Sequence, residues 1–212
     1  MEVYRAYGDI SDMLELTQGM ILHCLKEVSG SDATLVHYQG AELDFSAPFR
    51  RVPMSELVRE ACGWEVAAYK GDLVGAKAAA CAALQAAGLA DHMVGKSPSV
   101  GHVLNVLFEE LVEAGLQNPT FVLEHPLEIS PLSKPHRDVD GVAERFELFI
   151  AGRELANSFS ELTDPVDQRR RLEAQVRSLF PAHTTLTPLA NSFSELTDPV
   201  DQRRRLEAQA SL

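Results

Sequence analysis

The sequence is short of positive charge. Its 19 lysines and arginines face 31 aspartates and glutamates, a net charge of −12. Non-specific nucleic-acid binding needs a cationic surface that displaces counterions, so that class is disfavoured, a local basic stripe apart. A small cationic substrate would be attracted instead. Cysteine is scarce as well. Cys24, Cys62 and Cys81 are odd in number and lack metal-like spacing, which predicts buried thiols in a reducing compartment. No apolar run approaches the ~18 residues of a membrane span, which excludes a transmembrane helix. Residues Met1 to Arg5 have no basic or apolar leader pattern, so no secretory signal is expected. What remains is ordinary globular composition, 45% hydrophobic and 24% charged over 212 residues, enough for one domain or a piece of a larger one.

An exact repeat stands out. Residues 155–175 read LANSFSELTDPVDQRRRLEAQ, and residues 189–209 read the same, 34 residues later. The period is that of a tetratricopeptide array, but the Trp-Leu-Gly-Tyr pattern is missing and two units are too few for a solenoid. Perfect identity points to a recent duplication or an assembly artefact. Val176 to Pro188, between the copies, reads as a loose linker.

Elsewhere helix and strand signals alternate. A helix is expected over 11–28, with Leu14, Ile21, Leu25 and Val28 on one face and Gly30 just past its end. Short strands are expected at 34–38 and 42–45 around Gln39-Gly40. Ser55 reads as the N-cap of a helix ending at Gly63, and residues 71–88 as an alanine-rich helix. Ser97-Pro98 reads as N-cap and first residue of a helix running to about Gly115. Thr120 to Leu123 reads as a buried strand, followed by a proline-punctuated loop. Residues 145–150 and 153–157 flank a two-residue turn, Ala151-Gly152. Asp164-Pro165 opens a last helix. The expected fold is α+β, with antiparallel hairpins rather than a parallel βαβ arrangement.

The 145–157 hairpin carries the main candidate site. Symmetric pairing from the turn sets Ile150 against Arg153, Phe149 against Glu154, Leu148 against Leu155 and Glu147 against Ala156. Glu147 and Glu154 then share a face, while Phe146, Leu148, Ile150 and Leu155 form the core face. Two adjacent carboxylates repel unless a cation lies between them, and Mg²⁺ with nucleotide phosphates is one such arrangement. Pairing with Arg145 or Arg153 is the plainer alternative. Asn157 and Glu161 follow at the mouth of that face. Glu2 and Tyr4 share a face if the first segment is a strand. Gly95-Lys96-Ser97 is not a phosphate loop, because its leading glycine is absent. His23-Cys24 reads as helix packing, and His125, His136, Ser130 and Ser133 as loop polarity.

Four blocks together change the reading. EVYRAYGD at 2–9, FSAPFRRVPM at 45–54, PTFVLEHPLEISPLSK at 119–134 and RFELFIAGRELANSFSELTDPVDQ at 145–168 resemble, in this order, the catalytic domain of class II lysyl-tRNA synthetases of bacterial or organellar type. The resemblance covers residues 1 to about 175. It implies a class II synthetase-like antiparallel sheet flanked by helices, here incomplete. It implies that Glu147 and Glu154 bind ATP through Mg²⁺. It implies that Glu2, Tyr4 and Glu161 surround the side-chain ammonium of lysine, with Asn157 nearby. The family makes lysyl-adenylate from lysine and ATP, with loss of pyrophosphate, and then charges tRNA-Lys, as a homodimer, in cytoplasm or organelle (plastid or mitochondrion).

The sequence also departs from the family pattern. The arginine-bearing loop of the second motif, the dimer-forming first motif, the anticodon-reading domain and the Gly-rich third motif have no counterpart in it. Residues 1–175 are expected to be a partial catalytic domain, 176–188 a linker, and 189–212 the second copy with a tail. Pro188 stands where that copy would need Glu154. Without the arginine clamps, little or no activity is expected of these residues alone.

Overall fold

The computed structural model describes the backbone of residues 1–179 and the side chains of residues 1–174. The chain divides into two compact units, residues 1–168 and 169–212. The second repeat copy lies outside the described residues, as does the expected linker except its first four residues.

Helix α1 (Ile10–Ser29) begins on a reciprocal cap. The Asp9 carboxylate accepts from the backbone of Ser11 and Asp12, and Asp12 accepts from the Asp9 N–H. Gly30 ends it at φ 65°, a left-handed position that suits glycine. Leu14 is buried, but Val28 is 89% exposed, so the expected apolar face stops a turn early. Strands β1 (Leu35–Tyr38) and β2 (Ala41–Asp44) form a separate hairpin whose turn residues, Gln39 and Gly40, both have positive φ.

The main sheet has four strands in the order β3 (Arg50–Pro53), β4 (Thr120–Leu123), β5 (Arg145–Ile150) and β6 (Arg153–Phe159). All pairs are antiparallel except β3 with β4, which are parallel. That parallel pair, unexpected from the sequence, is joined by a helical crossover: α2 (Met54–Cys62), α3 (Leu73–Ala86), α4 (His92–Lys96) and α5 (Val100–Leu111).

Two of the expected caps move. Helix α2 starts straight from the strand at Pro53, so Ser55 lies inside its first turn and caps nothing. Helix α5 is capped by Ser99, whose Oγ accepts from the His102 N–H. Ser97 instead ends α4 and donates to the Met93 carbonyl. Helix α5 itself stops at Leu111, and a 3₁₀ turn at Glu113–Gly115 replaces the rest of the expected helix.

Both faces of the sheet are packed. On one, Phe149 and Val122 meet Met54, Val58, Leu107 and Phe108 of the crossover helices. The Phe108 and Phe149 rings meet edge-on at 5.4 Å. On the other, Phe146, Leu148 and Ile150 join Phe49, Phe121 and Leu14. Each such side chain contributes about 1.5–3 kcal/mol by leaving water. The three cysteines are less buried than expected: Cys24 is exposed, and Cys62 and Cys81 are half-buried. Their small, weakly polar side chains ride on helix flanks, where apolar periodicity does not mark depth.

The β5–β6 turn is fixed from outside. Ala151 N–H donates to the Gln117 carbonyl and Gly152 N–H to that of Leu116, at 2.8 and 2.9 Å. Gly152 has φ 66°, and a Cβ there would stand 3.0 Å from the Ala114 carbonyl oxygen. Glycine is therefore required twice over, by conformation and by contact. Helix α6 (Pro165–Leu179) begins where Asp164 accepts from the N–H groups of Val166 and Asp167.

Candidate functional site

One face of β5 and β6 forms the floor of a cleft of about 240 Å³. Glu147, Phe149 and Glu154 line it from the strands, with Asn105 and Glu109 from α5, and Glu113 from the 3₁₀ turn that follows. Arg145 and Ile129 also line it.

An irregularity decides which side chains share that face. The first two expected pairs form, Ile150 with Arg153 and Phe149 with Glu154. The register then shifts, so that Leu148 pairs with Ala156 and Glu147 with Asn157. The expected pairs Leu148–Leu155 and Glu147–Ala156 are each wrong by one residue. Leu155 is the extra residue of a β-bulge and is 60% exposed rather than part of the core face. Cross-strand partners point the same way, so the bulge brings Asn157 beside Glu147 and turns Ala156 toward the core.

The cleft is crowded with carboxylates. Burial pushes the Glu147 carboxyl up to about 7; Arg145 opposes this, and Glu154 and Glu113 add to it. Burial also raises Glu113, helped by the charges of Glu109 and Glu154. Arg145 donates through Nη2 to Glu147 Oε1, so the plainer pairing exists for this glutamate. Glu154 has no ion pair among the described residues. One cation thus stands among four carboxylates, and a further cation would relieve the remainder.

The donors suit a hard ion such as Mg²⁺, which takes one or two carboxylates and completes its shell with water and phosphate oxygens. Among the described residues no group of three or more acidic, histidine or cysteine side chains is arranged to hold a metal alone.

The other expected residues lie elsewhere. Glu2 and Tyr4 sit on an exposed N-terminal segment that is not part of any strand, so the condition of a strand is not met. They still meet, because the Tyr4 hydroxyl donates to Glu2 Oε2 at 3.4 Å. Glu161 bridges to Ser133 between β6 and α6. Asn157 accepts from Arg145 Nε at 3.2 Å.

Sequence reasoning gave Arg145 only as a possible partner and missed Glu113 and Glu109. The latter two stand on α5 and the turn after it, far from the hairpin in sequence. Only their spacing of four, which puts both on one helical side, hinted at a shared role. The two loop histidines hold local structure. His125 is buried and neutral, its pKa lowered to about 3 by burial and by the charge of Arg145. Its Nε2 lies 3.1 Å from the Val122 carbonyl. His136 Nδ1 accepts from the N–H groups of Asp138 and Val139 and so shapes the loop.

Comparison with known proteins adds a separate line. The family tRNA synthetases class II (D, K and N) matches residues 1–199. A lysine–tRNA ligase of Synechococcus sp. strain CC9902 is 51% identical over 175 residues, 82% of this chain and 33% of that protein. The lysine–tRNA ligases of Prochlorococcus marinus strain MIT 9303 and Nostoc punctiforme are each 50% identical over the same length, covering 33% and 30% of those proteins. The chain spans about a third of the length of the curated relatives it matches. Among the described residues no helix is long and apolar enough to cross a membrane.

Proposed function

The chain belongs to the tRNA synthetases of class II (D, K and N), and from that premise we propose that it carries the metal–nucleotide and side-chain-binding parts of a lysine–tRNA ligase. The observation that carries this reading is the pairing of Glu147 and Glu154 in one carboxylate-rich cleft, in a chain about half identical to lysine–tRNA ligases. Glu147 and Glu154 hold Mg²⁺, which neutralises phosphate charge on bound ATP. Glu2, Tyr4 and Glu161 supply acceptors for the ammonium of lysine, which has three donors and no acceptor. Asn157 lies between Glu154 and Glu161 in sequence and beside Glu147 in space. The whole protein then joins lysine to tRNA-Lys, in cytoplasm, plastid or mitochondrion.

Calorimetry on the full chain tests this directly. Binding of ATP that requires Mg²⁺, weakened by Glu147→Gln and by Glu154→Gln, is expected. Binding of lysine weakened by Glu161→Gln is expected too. A chain that binds neither ligand overturns the reading.

A further inference from the structure

Glu2 and Tyr4 belong to no strand, so no sheet register sets their position. Their course is set at the first turn of α1 instead. Asp12 splits its two oxygens there. Its Oδ2 accepts from the Asp9 N–H at 3.0 Å, and its Oδ1 pairs with Arg5 Nη1 at 3.3 Å. Gly8 lies against the Arg5 side chain, where a Cβ would stand 3.0 Å from Arg5 Cδ. The segment is thus folded back on the start of the helix. That turn has little core to rest on, since Leu14 is the first buried residue of the chain.

Asp9 divides its oxygens in the same way. Oδ1 caps α1 by accepting from the Ser11 and Asp12 N–H groups, and Oδ2 accepts from Arg137 Nη2 at 3.4 Å. The neighbouring Nε of the same guanidinium donates to Glu144 Oε1 at 2.7 Å. A rigid fork of donors can join two carboxylates from distant parts of the chain, which a single ammonium does poorly. The Glu144 carboxylate is buried and also takes a hydrogen bond from Ser160. Backbone bonds of 2.8–2.9 Å close a ring around it: Lys134 N–H to the Ser160 carbonyl, Ser160 N–H to that of Glu144, and Glu144 N–H to that of Lys134. Glu161 follows Ser160 directly and bridges to Ser133.

We infer that Arg137 is a positioning residue that holds the segment carrying Glu2 and Tyr4 in one frame with Glu161, so that the acceptors for a side-chain ammonium are assembled before the ligand arrives. This rests on the reading of those three residues given above and adds how they are brought together. Arg137 itself touches no ligand. Its contribution is pre-organisation: a segment ordered in advance costs the ligand less on binding. Asp9 and Arg137 are both partly in water, so the effect is modest, about two- to fivefold in affinity.

Asp9→Ser is the decisive variant. Serine keeps the cap, because its hydroxyl accepts from the same N–H groups, and Arg137 stays on Glu144. Only the link between Arg137 and residue 9 is lost. Calorimetry on the full chain should find lysine bound about two- to fivefold more weakly by Asp9→Ser and by Arg137→Gln. The double variant should be no weaker than Arg137→Gln alone, as expected for two residues acting through one contact. ATP with Mg²⁺ should bind all three as it binds the wild type. Wild-type lysine affinity in Asp9→Ser, where Glu161→Gln does weaken binding, overturns the inference and leaves the functional reading standing. An additive loss in the double variant overturns it too.

A second measurement needs no ligand, so it decides even if lysine does not bind. Fluorotyrosine can be incorporated and the four tyrosine signals assigned by Tyr→Phe substitution. The Tyr4 ¹⁹F resonance should shift and narrow in Asp9→Ser and in Arg137→Gln as the segment is released. That of Tyr69, stacked on Trp64 among the crossover helices, should stay in place. A Tyr4 resonance unchanged in both variants overturns the inference.

Discussion

Two glutamates of the same strand region make an instructive pair. Glu144 is 3% exposed and Glu147 13% by side chain, and each is joined to an arginine. Their carboxyls nevertheless shift in opposite directions. Burial alone would raise Glu144, but hydrogen bonds from Arg137 and Ser160, with the charges of Arg137 and Lys134, outweigh it and hold it low. Around Glu147 the single arginine is outweighed by burial and by Glu154 and Glu113, and the carboxyl rises to about 7. The first neighbourhood is electrically closed and ties the 134–144 loop to the strand. The second is left short of positive charge. A site that must accept a cationic group is expected to look like the second.

The largest expected break in this contrast is Glu147→Gln. It should reduce affinity for ATP with Mg²⁺ by at least roughly 100-fold, beyond what loss of an outer hydrogen bond to a metal ligand costs. Calorimetry reads it directly. If affinity survives, the two glutamates do not differ in kind.

Next is Arg137→Ala, which leaves the Glu144 carboxylate buried beside Ser160. The expected cost is about 1–3 kcal/mol of folding stability. It stays below the loss for a fully buried pair because the Arg137 side chain is 57% exposed. Urea unfolding measures it, and binding of ATP should be unchanged.

A smaller effect lies in pH. The folded state holds a proton on Glu147 that the unfolded state, with an ordinary carboxyl near 4.5, has released. That contribution to stability is fully present below about pH 4.5 and is lost as pH rises through about 7. Glu144 has the opposite sign: its contribution is present above about pH 4.5 and is lost as pH falls below it. His125 acts with Glu144, since a buried neutral imidazole favours folding above pH 6.5 and loses that advantage as pH falls toward 3. Glu147→Gln should therefore gain stability relative to wild type between pH 5 and pH 8. Unfolding curves at the two pH values decide this, and a constant difference would remove the electrostatic contrast.

The smallest expected change is at the bulge. Leu155→Ser should alter stability by no more than about 0.5 kcal/mol, because the side chain is already in water. A loss of several kcal/mol in a urea melt would restore Leu155 to the core face that strict alternation assigned to it.

The sequence made some of this visible and hid the rest for physical reasons. Gly30, Gly40 and Gly152 announce turns because positive φ is written into residue type, and all three occur where turns were expected. Thr120 to Leu123 is legible because a strand covered on both sides is continuously apolar. Strand β3 is not, since Arg50-Arg51 carries no alternation and its pairing partner is far along the chain. The choice between Ser97 and Ser99 as a cap depends on where the preceding helix ends.

In the site, Glu147 and Glu154 followed from hairpin geometry, and Glu113 could not, because nothing local ties α5 to the hairpin. Asn157 was named by resemblance to a family. Its place beside Glu147 depends on a bulge that symmetric pairing cannot reveal.

The docking of the hairpin tip has a mechanical consequence. Ala151 and Gly152 are bonded through their backbone to residues 116 and 117, just beyond Glu113. Glu154 is two residues from that anchor and Glu113 three. The acidic walls are thus stitched together at the backbone near their shared end. Repulsion between them cannot be relaxed there by drawing the strands and the helix end apart. In the proposed reading, the spacing that the walls offer an incoming ion is therefore set by the fold at that end.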